Sequence, residues 1–359
     1  MLNNQEAQRL ITPLTLLTKY SASPASLNFV KITRQTISDI LHRRDRRLVI
    51  IVGPCSIHDP NAALAYARKL KEIAEQHAKN LLIVMRCYFS KPRTTLGWSG
   101  LINDPALNNS HDINGGLHIA RKLLLDINSL GLPCATEFLD PFTPAFINDL
   151  ISWSAIGART VESQIHRHLA SGLPMPVGFK NSTSGSIEVA INAVLAAHHP
   201  QHFLTINQHG QSMMAESTGN PTSHIILRGS VHAGPNYTEN HITRATSLLE
   251  REKLNSSIMI DCSHGNSGKQ AIKQLEVLDN VCQQVAYCPS ITGVMLESFL
   301  QAGKQILQAP NNLVFGQSIT DECLSWEKTE HAIHTLSEYV EQRNNNIRSG
   351  KAALNTIET

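Results

Sequence analysis

The sequence predicts an α/β protein, a (β/α)8 TIM barrel with an N-terminal extension and a β-hairpin inserted before the sixth strand. Three observations predict it. From residue 48 onward, short β-branched apolar runs alternate with helical patterns, each about 15 residues long, the signature of repeated βα units. Eight such strands fall within the chain, the count that closes a barrel. No Gly-x-Gly-x-x-Gly follows the first strand, which counts against a doubly wound open sheet.

Strands are expected at 48–55, 81–87, 133–139, 155–161, 176–181, 224–229, 258–264 and 291–298. The run 81–85 is apolar without alternation, as a strand buried on both faces requires. Helices are expected between them at 61–77, 116–129, 144–152, 164–170, 187–197, 238–254 and 269–285, with a last one at 326–343. Residues 203–216 break this beat and read as the inserted hairpin, a candidate for regulation or assembly. Residues 1–45 do not look like a barrel unit. A short helix is expected at 5–10, Pro13 and the stretch 21–24 break the pattern, and 30–41 is amphipathic. This arm is expected to pack on a neighbour or a partner subunit. The organisation is therefore an extension at 1–45, a catalytic barrel at 46–345 with its hairpin at 202–217, and a tail at 346–359.

Composition narrows the function. Of the 359 residues, 42% are apolar and 17% charged, so a sizeable core is expected. A net charge of +2 gives no reason to expect nucleic acid or a membrane surface as partner. No apolar run approaches ~20 residues, and the N-terminus has no signal pattern. The seven cysteines are scattered with no Cys-x-x-Cys pair, which reads as reduced thiols in the cytoplasm.

Chemistry in this fold sits where the strands end, and every predicted strand ends in a reactive or charged side chain. The first gives Cys55, the second Arg86 with Lys91 and Arg93 beyond it, the third Glu137 and the fourth Arg159. Lys180, Arg228, the run Asp261-Cys-Ser-His264 and Glu297 follow in order. The loop after the second strand is cation-rich and marked by Gly97 and Gly100, with Trp98 and Leu101 to pack it down. Arg86, Lys91, Arg93, Arg159, Lys180 and Arg228 cannot share one pocket unless anions neutralise them. Bidentate guanidinium groups suit phosphate and carboxylate, so two anionic groups are expected there. Cys55, His264, Glu297 and Asp321 form a second set, suited to a first-row divalent ion. No Gly-x-Ser-x-Gly elbow and no His-Glu-x-x-His are present, against a serine hydrolase and a zincin.

The chain resembles the class I, alpha-type 3-deoxy-D-arabino-heptulosonate 7-phosphate (DAHP) synthases from about residue 48 to residue 326. The resemblance is carried by Gly53-Pro-Cys-Ser-Ile-His-Asp59, Lys91-Pro-Arg-Thr-Thr95, Gly100-Leu-Ile-Asn-Asp104 and Ala155-Ile-Gly-Ala-Arg-Thr160. Pro176-Val-Gly-Phe-Lys-Asn181, His224-Ile-Ile-Leu-Arg-Gly229, Asp261-Cys-Ser-His-Gly-Asn266 and Ser318-Ile-Thr-Asp321 continue it. It implies an aldol-type condensation of phosphoenolpyruvate with erythrose 4-phosphate and water, the first step of the shikimate pathway. It further implies one divalent metal, Mn, Fe, Co or Zn, on Cys55, His264, Glu297 and Asp321. Phosphoenolpyruvate would be held by Arg86, Lys91, Glu137, Arg159, Lys180 and Arg228 with the backbone of Ala158. Arg93 and Thr94 would hold the sugar phosphate, and Lys91, His264 and Cys55 would serve catalysis. The neighbouring reading is an enzyme of the same chemistry that takes arabinose 5-phosphate; a barrel kept only for regulation is a third.

Relatives bind an inhibitory Phe, Tyr or Trp around positions matching Pro144, Leu169, Leu173, Pro174, Phe203, Thr205 and Ala215. Here Pro174 stands for a usual Ser and Ala145 for a usual Gln, so the effector preference is expected to be altered. Ser90 and Ser99 likewise replace a usual Glu and Lys at the rim. Cys323, two residues past Asp321, is expected close enough to Cys55 to form a disulfide when metal is absent. The arm and the hairpin together imply a homodimer or homotetramer.

Overall fold

The computed structural model describes residues 8–93 and 95–349. Two helices come first, α1 (Pro13–Lys19) and α2 (Pro24–Leu41). The barrel then runs β1 (Leu48–Gly53), α3 (Pro60–Gln76), β2 (Leu81–Arg86), α4 (Ile113–Ser129), β3 (Cys134–Glu137), α5 (Pro144–Ile147) and β4 (Trp153–Ile156). It continues with α6 (Gln164–Gly172), β5 (Val177–Lys180), α7 (Glu188–His198), the hairpin β6 (His202–Ile206) and β7 (Ser212–Glu216), and β8 (His224–Leu227). The chain closes with α8 (Glu239–Arg251), β9 (Ile258–Asp261), α9 (Lys273–Val285), β10 (Ile291–Glu297) and α10 (Trp326–Arg348). Eight parallel strands form a closed ring in the order β1-β10-β9-β8-β5-β4-β3-β2, and β6 pairs only with β7.

Alternation along β1 shows how the ring is filled. Leu48, Ile50 and Val52 pack outward against the helices, whereas Val49 and Ile51 point into the lumen with Val84, Trp153, Ile226, Met259 and Met295. Trp153 is the bulkiest lumen residue, and Gly178 on the next strand makes room for it. A Cβ at Gly178 would lie 2.7 Å from the indole and 2.6 Å from Ile226.

The expected breaks near the N-terminus are helix starts. Pro13 and Pro24 each occupy the first turn of a helix, capped by the side chains of Thr12 and Ser23. Proline has the right φ for that position and no N–H to waste there. The expected helix at 5–10 falls partly on residues outside those described, and residues 8–10 are not helical. The arm also packs on its own barrel: Ile37, Ile40 and Leu41 of α2 enter the lumen cluster and plug the floor.

Other bounds move for local reasons. The segment 144–152 is one helical turn followed by a 3-10 turn at Asn148–Leu150. The helix expected from 269 starts at Lys273, because Lys269 has a φ of 62°. Strand β4 stops at Ile156, so Arg159 rides the loop after it. The last helix runs to Arg348, past the expected start of the tail.

Candidate active site at the mouth of the barrel

The C-terminal ends of the strands surround a cavity of about 270 Å³. It is lined by Arg86, Lys91, Arg93, Arg159, Lys180 and Arg228, and by Glu137, Ala158, His264 and Asp321. Thr94 lies outside the described residues. Cys55 and Glu297 are buried beneath the cavity rather than lining it.

Under the cavity the second set converges. One ligand atom each from Cys55, Glu297 and Asp321 lie within 4.8 Å of one another. The Nε2 of His264 is 3.7 Å from Glu297 Oε1. Its other nitrogen is engaged, with Nδ1 2.7 Å from Ser263 Oγ and 2.8 Å from Asp261 Oδ2. Nε2 is therefore the nitrogen left to coordinate, oriented by a carboxylate behind it as metal-bound imidazoles are. Burial lowers the His264 pKa, Asp261 opposes this and Lys180 assists it, so the ring stays neutral with a lone pair to offer. A soft thiolate, an imidazole and two carboxylates fit a divalent first-row ion.

Arg86 and Gln274, both buried, and Lys91, at the cavity wall, hold this donor set in place. Arg86 donates through Nε to the Pro54 carbonyl at 3.1 Å and through Nη2 to Glu297 Oε1 at 2.9 Å. Its guanidinium lies 3.6 Å from the Tyr88 ring centroid, a cation–π stack. Gln274 brackets the Glu297 backbone, accepting from its N–H at 2.8 Å and donating to its carbonyl at 3.0 Å. Burial would raise the Glu297 pKa, but the charged groups around it, Arg86 and Lys91 among them, hold it below the ordinary carboxylate value. Lys91 reaches down from the loop after β2, its Nζ 3.0 Å from Cys55 Sγ. Burial disfavours its charge; Cys55 and Glu297 outweigh that and keep the ammonium protonated.

On the opposite wall, Lys180 Nζ is 3.1 Å from Asp261 Oδ2, and both groups are buried. Burial lowers the Arg228 pKa, with Asp261 opposing and the nearby Arg159 cation adding to the drop. The guanidinium donates through Nη1 to the Gly229 carbonyl at 3.1 Å. Arg228 is fixed through its backbone, which donates to Asn181 Oδ1 at 2.8 Å. Arg93 donates to the Trp98 carbonyl at 2.8 Å, with its guanidinium laid over Gly97.

Three residues near the site carried no role in the sequence reading. Lys269 Nζ stands 3.4 Å from Asp321 Oδ1 at the cavity wall, and no pattern in the sequence marks it. Tyr88 under Arg86 falls just past the expected second strand and Gln274 under Glu297 inside an expected helix, where neither stands out. Asp261, noted only as a strand end, is the pivot shared by His264 and Lys180.

Away from the mouth, a second cavity of about 540 Å³ lies between the end of α6 and the hairpin. Leu173, Pro174, Phe203 and Ala215 line it; Pro144, Leu169 and Thr205 do not.

Comparison with known proteins agrees with this geometry. The sequence model of the DAHP synthetase I family matches residues 24–334. A Haemophilus influenzae protein named phospho-2-dehydro-3-deoxyheptonate aldolase is 48% identical over 337 residues, covering 94% of this chain and 93% of that one. The Escherichia coli K12 protein of that name designated Phe-sensitive is 50% identical over 340 residues, covering 94% and 97%. The one designated Trp-sensitive is 47% identical over 343 residues, covering 95% and 98%. The solved structure of the Francisella tularensis SCHU S4 phospho-2-dehydro-3-deoxyheptonate aldolase superposes with a TM-score of 0.93 at 47% identity, covering 95% of this chain and 99% of that one.

Proposed function

This chain belongs to the DAHP synthetase I family, and from that premise we propose that it condenses phosphoenolpyruvate with erythrose 4-phosphate and water to give DAHP and phosphate. One observation carries the reading: six cations line a single mouth directly above a cluster of Cys55, Glu297 and Asp321, with His264 Nε2 3.7 Å from Glu297.

The chain's own residues divide the work. Arg159, Lys180 and Arg228 receive the phosphate and carboxylate of phosphoenolpyruvate, with Arg86 and Lys91 below. Arg93, on the loop opposite, takes the sugar phosphate. Two substrates that repel each other in water are thereby fixed side by side, an orientation and electrostatic effect worth many powers of ten in rate. The Lys91 ammonium is placed to give a proton at the reacting centre, and the half-buried, neutral His264 to hold a water. A divalent ion on Cys55, His264, Glu297 and Asp321 would polarise the aldehyde oxygen as a Lewis acid.

An aromatic amino acid in the cavity beside Phe203 is the proposed inhibitor, as the names Phe-sensitive and Trp-sensitive state for two relatives. Assembly as a homodimer or homotetramer is supported by the exposed apolar side chains Leu204 and Met214 on the hairpin and Ile32 on α2. The arm meets the hairpin turn directly, since Leu14 N–H donates to the Gln208 carbonyl at 2.8 Å. No helix among the described residues is long and apolar enough to cross a membrane, and we place this biosynthetic activity in the cytoplasm.

The test is phosphoenolpyruvate consumption by metal-loaded protein offered erythrose 4-phosphate or arabinose 5-phosphate. Turnover is expected with the four-carbon sugar alone. Turnover with arabinose 5-phosphate instead, or with neither, overturns the proposal.

A further inference from the structure

The floor of the barrel, at the far end from the mouth, carries a second gathering of cations that the condensation does not use. The linker between α2 and β1 contributes Arg43, Arg46 and Arg47, and the turn before β2 adds Lys79. The last turns of α10 add Arg343 and Arg348. These residues line two adjoining cavities that share Asp45, Arg46, Arg47 and Asn344, the larger about 220 Å³.

The two carboxylates there are already engaged. Asp45 Oδ2 is 2.6 Å from Arg47, and Glu341 Oε1 is 2.6 Å from Lys79. Among the described residues, no carboxylate stands within ion-pair distance of Arg46, Arg343 or Arg348. Arg343 is only 8% exposed, and its Nη2 donates to the Arg46 backbone carbonyl. Burial with no opposing carboxylate lowers its pKa to about 10. Beside it, the Oδ1 of the partly exposed Asn344 is buried and unpartnered; turned end for end, that amide presents an N–H donor instead. A buried cation without a counter-charge is costly to the fold, and an anion entering from solvent relieves that cost.

We propose that this floor cavity binds a small, multiply charged phosphate anion at a site separate from the mouth. The planar forks of Arg46, Arg343 and Arg348 match phosphate oxygens in twos, which a point charge does not. The surplus of cations over carboxylates favours a dianion or more over a monocarboxylate. Such a ligand ties the linker before β1 to the end of α10, so it stabilises the closed ring at its first strand by mass action.

The probe is radiolabelled pyrophosphate, measured by equilibrium dialysis at low salt against the full chain with phosphoenolpyruvate saturating. The expected result, beside any pyrophosphate held by the sugar-phosphate cation of the mouth, is one site per chain that is at least tenfold weaker in Arg46→Glu/Arg348→Glu and several-fold weaker in Arg348→Gln. Both side chains are exposed, and far-UV circular dichroism should be unchanged. A control double variant, Lys122→Glu/Arg251→Glu, makes the same change of net charge elsewhere and should bind as the wild type does. Inorganic phosphate should compete and acetate should not. No pyrophosphate bound under saturating phosphoenolpyruvate overturns the proposal, as does equal loss in the control variant or unchanged affinity in Arg46→Glu/Arg348→Glu. Pyrophosphate bound at the mouth, whatever phosphoenolpyruvate does there, is untouched by the double variant, which loses only the floor site, so the two readings fail separately.

Discussion

Arg86 and Glu297 meet across β1, Nη2 to Oε1 at 2.9 Å, with both side chains 3% exposed or less. Neither charge has water to fall back on, and Glu297 also belongs to the donor set under the mouth. Arg86→Met is therefore expected to strip the buried Glu297 of its ion-pair partner and to cost about 3–5 kcal/mol of stability. Arg86→Lys should not rescue it, because a point ammonium replaces neither the fork to Pro54 and Glu297 nor the stack on Tyr88. Urea unfolding measures the first effect and metal affinity the second. A loss under 1 kcal/mol in Arg86→Met would show the pair to be dispensable.

His224 sets an acid limit on the fold from the other end of the barrel. It begins β8, where its Nε2 accepts from Trp153 Nε1 at 3.3 Å and its Nδ1 lies 3.1 Å from the Thr222 carbonyl. The ring therefore carries its proton on Nδ1, and a second proton on Nε2 would break the Trp153 bond. Burial, with a push from His42 and against the Thr222 bond, depresses the pKa from 6.5 to about 4. A depressed folded-state pKa means that the unfolded chain takes up the proton first. The contribution to stability is complete above pH 6.5 and is lost as pH falls toward 4. It amounts to about 3 kcal/mol. His224→Gln should flatten the stability-versus-pH curve by that amount between pH 7 and 4. Parallel curves for wild type and variant would refute it.

These two residues also show what the sequence makes legible and what it hides. Arg86 was readable because the fold rule places chemistry at strand ends, so a cation closing an apolar run stands out. The same rule delivered Glu137, Lys180, Arg228 and Glu297, each within a residue of its observed strand end. Lys269 was hidden, since it sits in a turn that was read as the first residue of a helix; only its left-handed backbone brings the ammonium to Asp321. The N-terminal arm hides its two helix starts for a related reason. Pro13 and Pro24 look like punctuation, but with Thr12 and Ser23 ahead of them they are helix starts. No local pattern tells whether the apolar face of the next helix meets its own barrel or a neighbour, because Ile37, Ile40 and Leu41 would suit either. The floor cations give no signal in the local sequence, for their partners lie some 300 residues away in α10.

Removal of metal should abolish turnover and expose a redox hazard. Cys55 N–H donates to Cys323 Sγ at 3.4 Å, so the two cysteines are packed together beneath the mouth. Chelated protein left in air is expected to lose two of its seven free thiols and to stay inactive on remetallation until reduced. Cys323→Ser should keep its remaining thiols and regain activity with metal alone. Cys55→Ala should retain its far-UV spectrum while losing stoichiometric metal in elemental analysis after dialysis. An aerated metal-free sample with all seven thiols titratable would end the disulfide proposal.

Inhibition by an aromatic amino acid should map to the cavity between α6 and the hairpin. Phe203 packs its ring against Gly172, where a Cβ would sit 3.0 Å from Phe203 Cζ, and Ala215 faces it from β7. That leaves room for one aromatic side chain beside Phe203 and Leu173. Pro174 offers no N–H to a bound amino acid, so the polar contacts must come from the far wall, where Ser171 and Ser217 are hydrogen-bonded to each other at 2.6 Å. Ala215→Trp fills the cavity with the chain's own indole. It is expected to raise the concentration of Phe, Tyr or Trp needed for half inhibition at least tenfold, with kcat and both KM values within twofold of wild type. Just past the hairpin, the Asn220 N–H donates to the Ala197 carbonyl of α7 at 2.8 Å, so a filled cavity should leave the hairpin folded. Wild-type activity indifferent to millimolar Phe, Tyr and Trp would remove the effector role from this cavity. Inhibition that survives Ala215→Trp unchanged would place it elsewhere.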